Sequence, residues 1–163
     1  MKKLVFVKYI IKDQMLAGIL IAIGDFMAKI YVGSSLFNSD RVRQLYQKLI
    51  GLGHEITYDW TQHGQVFDLE KLFKIGILEE NGVFDADIFL MVLPARSGTH
   101  WEGGFARGLQ IMGKKIEIII LMEHEHEQER KTFHYLPGIH RFTDEDSVIN
   151  FIQDYAIGEQ NVQ

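Results

Sequence analysis

The chain contains no cysteine, which excludes a disulfide framework, a thiolate zinc site, an iron–sulfur cluster and a cysteine nucleophile. This absence is compatible with a reducing cytoplasm, where we expect the protein to act. Only two of the 163 residues are proline, as is typical of regular elements joined by short turns. Basic residues are not in excess, since 17 Lys and Arg stand against 22 Asp and Glu. Duplex nucleic-acid binding depends on basic residues, so no nucleic-acid partner is expected.

Long apolar runs are also absent. A bilayer span needs about 20 apolar residues, whereas the run over residues 15–23 is short and is followed by Asp25. We therefore expect no membrane span. Residues 1–27 are predicted to be an N-terminal extension of uncertain structure: an extra helix, a peripheral anchor, an appended leader or an exchanged arm. Residues 28–157 are predicted to form one domain, and residues 158–163 a tail.

The rest of the pattern alternates between strand and helix. Hydrophobic residues make up 47% of the chain and charged residues 24%, as in ordinary globular domains. Short β-rich runs are separated by stretches whose apolar residues recur at helical spacing. The alternation predicts an α/β domain: a doubly wound, five-stranded parallel sheet of the flavodoxin-like type, with helices on both faces. The strands are predicted at residues 29–32, 55–58, 87–93, 116–121 and 139–142.

One segment combines several features of a catalytic loop. Residues 93–106 begin at the end of the buried third strand and continue into a helix predicted from Trp101. Gly98 permits close approach of the backbone to a ligand, and the free amides of a helix start attract an anion. Glu102 is predicted in the first helical turn, where its carboxylate either stabilises the helix dipole or faces the cleft as a catalytic group. Ligands of such sheets bind beyond the carboxyl ends of the strands, so this loop and the one after Val32 are candidate sites.

A set of motifs follows a recognisable order along the chain. The first strand ends in Gly33-Ser34-Ser35, acidic residues 79–80 precede the third strand, residues 98–106 have the pattern Gly-x-x-x-Glu-x-Gly-x-Ala, and Gly113-Lys114 precedes the fourth strand. This order resembles that of the nucleoside 2-deoxyribosyltransferases and the related 2′-deoxynucleoside 5′-monophosphate N-glycosidases, over residues 28–151. The resemblance implies a doubly wound α/β fold and an enzyme that breaks the bond between a sugar C1′ and a nucleobase.

The resemblance also implies roles for individual residues. By position, Glu102 is the nucleophile that attacks C1′ and forms a glycosyl-enzyme intermediate, which a second base or water then resolves. Glu79 occupies the place of the family's proton-donating aspartate, with Glu80 as the alternative. Tyr31 matches a tyrosine that orients the nucleophile, although core packing explains a strand tyrosine equally well. The family further implies a homo-oligomer, and neither a cofactor nor a metal is expected.

The loop before Glu102 departs from the family's transferases. They carry an aspartate six residues before the nucleophile, where this chain has Arg96, followed by Ser97. A guanidinium and a hydroxyl at a helix start favour an anion such as a 5′-phosphate. Together with Gly98 and the Gly33-Ser34-Ser35 loop, these residues are predicted to bind substrate and to favour a nucleotide over a free nucleoside. A solvated loop arginine is the alternative interpretation.

Two further features have competing interpretations. Trp60, at the end of the second strand, would contribute about 1–3 kcal/mol if it stacked on a nucleobase, but core or interface packing explains it equally well. Glutamate and histidine alternate over residues 123–127, which suggests a metal site. No third ligand at suitable spacing supports that site, and a solvated charged loop is the expected structure.

Two alternative functions remain open at this point. Residues 94–102 partly match the Pro-Gly-Gly-x-Gly-Thr-x-x-Glu motif of cytokinin-activating phosphoribohydrolases, although both glycines after the proline are replaced. A non-catalytic nucleotide-binding or sensing module would use the same fold. The sequence favours an enzyme that cleaves or exchanges the N-glycosidic bond of a (deoxy)nucleoside or its 5′-monophosphate. It distinguishes neither transferase from hydrolase nor one base from another.

Overall fold

The computed structural model of the protein describes residues 27–123, 128 and 130–160. Most of the predicted N-terminal extension and the histidines of the 123–127 segment therefore lie outside the described residues. The strands are β1 (Lys29–Gly33), β2 (Glu55–Ile56), β3 (Ile88–Val92), β4 (Glu117–Leu121) and β5 (Ile139–Phe142). The α-helices are α1 (Ser39–Gly51), α2 (Leu69–Asp85), α3 (Ser97–Ile111) and α4 (Glu145–Gln160). Short 3₁₀ turns occur at Leu36–Asn38, Trp60–Gln62 and Thr132–Tyr135.

The strands form one parallel sheet in the order β2-β1-β3-β4-β5. This is the flavodoxin-like order, so the predicted fold class is confirmed. The central strand β3 is buried along its whole length, as its continuous apolar run predicted. From β1 and β3, which are neighbours, the chain proceeds towards opposite edges of the sheet. Such a switch point opens a crevice at the carboxyl ends of the two strands.

Helices α2 and α3 cover the face of the sheet that carries the candidate site. Tyr31 of β1 is the register partner of Phe89 on β3, and Met91 lies two residues further along the same face. A Cβ atom added to Gly82 of α2 would lie 2.9 Å from the Tyr31 ring, and one added to Gly103 of α3 would lie 2.9 Å from Met91 Cε. Both helices therefore pack closely on this face: a side chain at Gly82 would meet the Tyr31 ring, and one at Gly103 would require the end of Met91 to move.

Helices α1 and α4 lie side by side on the opposite face. An ion pair of 2.5 Å between Lys48 Nζ and Glu145 Oε1 connects them. Each helix buries apolar side chains completely, including Leu49 of α1 and Ile152 of α4. The right-handed crossovers of parallel strands place α1 opposite α2 and α3, because the chain reverses its direction across the sheet after β2.

Three boundaries differ from the predictions above by two residues or more. β2 has two residues rather than four, because the chain leaves the edge of the sheet for the 3₁₀ turn that Asp59 caps. Helix α3 begins at Ser97 rather than Trp101, since its first residues are weak helix formers that hide the start. Helix α4 continues to Gln160, into the predicted tail. Within the described part of the chain, no helix is both long and apolar enough to span a bilayer.

Candidate active site

Glu102 lies on α3, near the carboxyl ends of β1 and β3. It is the sixth residue of the helix, so the prediction that it lies in the first turn is wrong. The cause is the earlier start of α3 at Ser97. One consequence is that the helix dipole, whose effect fades within the first turn, is not the reason for a carboxylate here. The alternative interpretation, a group that faces the cleft, therefore gains weight.

A tyrosine hydroxyl holds the Glu102 carboxylate. Tyr31 Oη donates a hydrogen bond of 2.9 Å to Glu102 Oε1. The Tyr31 ring is fully buried and stacks on Phe89, with 5.9 Å between the ring centroids. The hydroxyl is thus fixed in position by packing on the central strand. The ring thus belongs to the core, as the packing interpretation requires, and the hydroxyl contacts Glu102, as an orienting role would require.

Gly33 makes room for the carboxylate. A Cβ atom at this position would lie 2.8 Å from Glu102 Oε2 and 2.9 Å from Thr99 Cγ2. Any side chain at the end of β1 would therefore push Glu102 away from the sheet. The sequence predicted Gly33 to contact the substrate, whereas the structure shows it in contact with the candidate nucleophile.

A second carboxyl group lies close enough to act on this pair. The charge of Glu79, on α2, raises the pKa of Tyr31 and contributes to the pKa of Glu102. Glu79 is half-buried, and burial raises its own pKa. Glu80, the alternative proton donor, is exposed. The two carboxyl groups brought together at the switch point are thus Glu102 and Glu79.

Burial dominates the electrostatics of Glu102. Desolvation of the carboxylate raises its pKa to about 7, and the negative charge of Glu79 acts in the same direction. The hydrogen bond from Tyr31 opposes this shift, because it stabilises the ionised form. Glu102 is therefore divided between its ionised and protonated forms near neutral pH. A pKa close to the working pH is a common property of catalytic carboxyl groups.

The loop after β1 is tied to the start of α3 by hydrogen bonds. Ser34 Oγ donates to the carbonyl of Val92 at 2.7 Å, and Thr99 Oγ1 donates to the carbonyl of Ser34 at 2.7 Å. Ser34 Oγ also accepts a bond of 3.0 Å from Asn38 Nδ2. Ser35 is 2% exposed, and its Oγ has no hydrogen-bond partner among the described residues. The hydrogen bonds of Ser34 therefore stabilise the loop, whereas the hydroxyl of Ser35 makes no such bond within the described residues.

The residues before Glu102 form the outer rim of the cleft. Arg96, Ser97 and Gly98 are exposed, and the Arg96 guanidinium lies 5.4 Å from the centre of the Phe37 ring. Nothing lies within 4 Å of a Cβ atom built on Gly98. Gly98 is therefore not required by packing within the protein, which leaves close approach of a ligand as its predicted role.

Trp60 is placed in the core behind the site. It is 6% exposed, and its Nε1 donates a hydrogen bond of 2.6 Å to the carbonyl of Val32. An indole in this position has no open face on which a base could stack, which favours the packing interpretation. Trp60 supports the end of β1, just before Gly33.

Three supporting residues were missed by the sequence analysis. Phe89 stacks on the Tyr31 ring, and Thr99 donates the hydrogen bond that connects the start of α3 to the loop after β1. Gly82 allows α2 to approach Tyr31. A glycine inside a helix is a signal for such close packing, because it otherwise destabilises the helix by about 1 kcal/mol. Phe89 and Thr99 carry no comparable signal. The described residues also contain no group of three potential metal ligands.

These features define the class of protein: a flavodoxin-like α/β domain with two interacting carboxyl groups at its switch point. No protein-family model matches the chain, and no curated protein matches its sequence. Among solved structures, BlsM is similar, with a TM-score of 0.55 and 16% identity over 81% of this chain and 91% of that chain. The CMP N-glycosidase BcmB from Clostridium botulinum is also similar, with a TM-score of 0.50 and 20% identity over 78% of this chain and 98% of that chain. The likeness to both proteins confirms the expected fold.

Proposed function

We propose that the protein is an enzyme that cleaves the N-glycosidic bond of a nucleoside or nucleotide, with Glu102 as the nucleophile. The observation that carries the proposal is the hydrogen bond of 2.9 Å from Tyr31 to Glu102, near the carboxyl end of β1. A carboxylate suits this reaction because the transition state has the character of an oxocarbenium cation. The buried tyrosine hydroxyl leaves Glu102 Oε2 as the oxygen that attacks C1′.

The proposed reaction has two steps. In the first, a Glu102 oxygen bonds to C1′, the C1′–N bond breaks, and its electron pair stays on the nucleobase, which takes up a proton. Glu79 supplies that proton, since burial raises its pKa and so favours the protonated form. In the second step, water or an acceptor base attacks C1′ and gives up a proton to the now ionised Glu79, and Glu102 leaves as a carboxylate. Water gives a hydrolase, and an acceptor base gives a transferase.

The resemblance of the motifs supports this chemistry. The glutamate in Gly98-x-x-x-Glu102 has the position of the nucleophile of the deoxyribosyltransferase-like enzymes, and BcmB, which is similar in fold, is described as a CMP N-glycosidase. A phosphoribohydrolase of the cytokinin-activating type would cleave the same kind of bond and would depend on the same glutamate. A sensing module would bind the nucleotide without forming a covalent intermediate.

A 5′-monophosphate is the substrate form that we favour. The exposed guanidinium of Arg96 and the hydroxyl of Ser97 precede the helix that carries Glu102. The hydroxyl of Ser35 has no hydrogen-bond partner among the described residues, and a rotation of this side chain towards the loop surface would present it to a phosphate oxygen. A buried hydroxyl without a partner costs about 1–3 kcal/mol, so a ligand that satisfies it binds more tightly.

Covalent trapping tests the proposal directly. A 2′-fluoro-substituted deoxynucleoside 5′-monophosphate should form an adduct on Glu102, because the fluorine slows release of the sugar more than its attachment. Mass spectrometry of the intact protein and of its peptides would locate the adduct. Glu102→Ala should form none, while Glu80→Ala, one residue from Glu79 but exposed, should form it normally. Binding without any adduct or turnover would identify a sensing module instead.

Product analysis then decides the finer points. Deoxynucleosides, ribonucleosides and their 5′-monophosphates are incubated with the protein, with and without an acceptor base. Free base released without an acceptor indicates a hydrolase, and base exchange indicates a transferase. We expect Arg96→Gln and Ser35→Ala to lower kcat/KM about tenfold for the monophosphate, because one phosphate contact is lost in each. Turnover of the free nucleoside should be unchanged.

A further inference from the structure

A second hollow lies on the other flank of α3, away from Glu102. It has a volume of about 880 Å³ and is bounded by α3, by strands β4 and β5, and by residues 130–136. Glu102, Tyr31 and Glu79 are not part of its wall. Its size falls within the range of about 300–1,000 Å³ that is typical of small-molecule sites. The inference drawn from it does not depend on the proposed function.

The hollow exists because α3 carries small residues on this flank. A Cβ atom built on Gly104 would meet nothing within 4 Å, so this glycine faces open space. Gly103 allows Met91 to approach the helix. The segment that precedes β5 covers the sheet with the short 3₁₀ turn Thr132–Tyr135, which is narrower than a helix of several turns. A space is therefore left between α3, this turn and the sheet.

The floor of the hollow is apolar. Ile118 and Ile120 of β4 lie on it beside Met91 of β3, and Leu136 and Ile139 close the far side. These strand residues are buried from bulk solvent, with Ile118 at 3% and Ile120 at 2% exposure. An apolar body can therefore be held here by hydrophobic contact.

The wall is cationic. Arg107, Arg130 and Lys131 line the hollow, and no carboxylate is among its described lining residues. Arg107 projects from α3, where its Nη1 donates to the neutral amide oxygen of Gln110. Its Nε is buried and has no hydrogen-bond partner among the described residues. A guanidinium that lines an apolar hollow with no carboxylate among its described lining residues is suited to an acid group.

We propose that this hollow is a second ligand site, which binds an organic anion with an apolar body and a single acid group. The apolar body would lie on Ile118 and Ile120, and the acid group would pair with Arg107. The N-terminal residues 1–26 are a poor candidate for the occupant of this hollow. They carry four lysines and only two aspartates, and positive charge does not complement a wall of basic residues. A neutral apolar molecule would leave the Arg107 donor unsatisfied. Carboxylates and sulfonates both fit this description, since the oxygens of either group accept hydrogen bonds from a guanidinium.

The probe for this site is 1-anilinonaphthalene-8-sulfonate, an apolar ring system with one acid group. We expect saturable binding to the full chain, seen as a rise in fluorescence, and NMR shifts of the Ile118 and Ile120 methyl groups. The uncharged N-phenyl-1-naphthylamine has the same ring system and should bind at least about tenfold more weakly. Gly104→Phe should abolish the binding, because the new ring fills the hollow.

Matched variants separate this result from general exposure of apolar surface. Gly76→Phe is the control, because Gly76 is also a helical glycine with nothing within 4 Å of its Cβ position, but belongs to α2 and does not line the hollow. This variant should bind the probe like the unaltered protein. Arg107→Gln should weaken binding of the sulfonate about tenfold and leave the neutral probe unaffected. The proposal is overturned if the sulfonate does not bind, if Gly104→Phe binds it normally, or if both probes bind equally well.

Discussion

The two flanks of helix α3 differ in charge and in the kind of ligand that each suits, although residues that are adjacent in sequence lie on opposite flanks. Glu102 turns to Tyr31 and Gly33, on a flank where Glu79 adds a second carboxyl group. Gly103, one residue later, lines the hollow whose charged residues are basic. Successive helical residues point about 100° apart, so one helix can serve both. The acidic flank suits a cation-like transition state, and the basic flank suits an anion.

The largest effect is expected from Glu102→Gln. This variant keeps the shape of the side chain and its hydrogen bond with Tyr31 but removes the nucleophile, so turnover should fall by about a thousandfold or more. Steady-state release of nucleobase measures the loss. Binding of the sulfonate probe on the other flank should not change. If turnover and probe binding were lost to the same extent, the two flanks would not be independent.

Gly33→Ala is expected to damage the acidic flank through packing alone. The new Cβ would lie 2.8 Å from Glu102 Oε2, so either the carboxylate or the strand must shift. We expect a loss of stability of about 1–3 kcal/mol, measured by urea unfolding, together with a lower kcat. Gly51→Ala, at the end of α1 with nothing within 4 Å, is the control: it should leave kcat unchanged and should not lower stability. A normal kcat in Gly33→Ala would show that the position of Glu102 is not critical.

Tyr31→Phe should change the pH dependence of the acidic flank. The pKa of Glu102 is about 7, and the Tyr31 hydrogen bond lowers it. Removal of the hydroxyl therefore raises the pKa further, and the rising limb of kcat/KM, which follows ionisation of the nucleophile, should move to higher pH. The variant should lose more activity at pH 6 than at pH 8. A uniform loss at all pH values would assign Tyr31 a purely structural role.

The smallest effect is a gain in stability, expected for the same Glu102→Gln variant that loses activity. Folding raises the pKa of Glu102 from 4.5 to about 7, so the folded state binds this proton more tightly than the unfolded state. The unaltered protein therefore loses stability as the pH rises from about 4.5 to 7, by at most ~3 kcal/mol. Glutamine does not ionise, so Glu102→Gln does not lose this stability. The variant should melt several degrees higher than the unaltered protein at pH 8 and at nearly the same temperature at pH 4.5. Melting curves at the two pH values measure it.

Much of the fold was predictable because it rests on local patterns. The continuous apolar run of β3 predicted a central parallel strand, and β5 was predicted with its observed bounds. Boundaries failed where tertiary contacts override propensity. Thr99 holds the first turn of α3 through its hydrogen bond to Ser34, and nothing in the local sequence announces that contact. The oligomeric state, the cytoplasmic location and the role of residues 1–27 stay predictions.

The site was predictable only in part. Glu102, Glu79 and Tyr31 were identified from the order of motifs, and the structure brings all three together. Trp60 was predicted with two roles, and burial favours packing over stacking. The basic hollow was not foreseen, because residues from α3, β4 and β5 meet there across long separations in sequence.

The sequence by itself determined the alternation of strands and helices, the parallel sheet and the choice of Glu102 as the candidate nucleophile. These properties depend on the spacing of residues along the chain, which can be counted. Only the tertiary structure decided that Gly33 makes room for that glutamate, that burial raises its pKa to about 7, and that a cationic hollow lies behind it. Desolvation and close contact depend on atoms from distant segments, and their distances are fixed only when the sheet and helices pack.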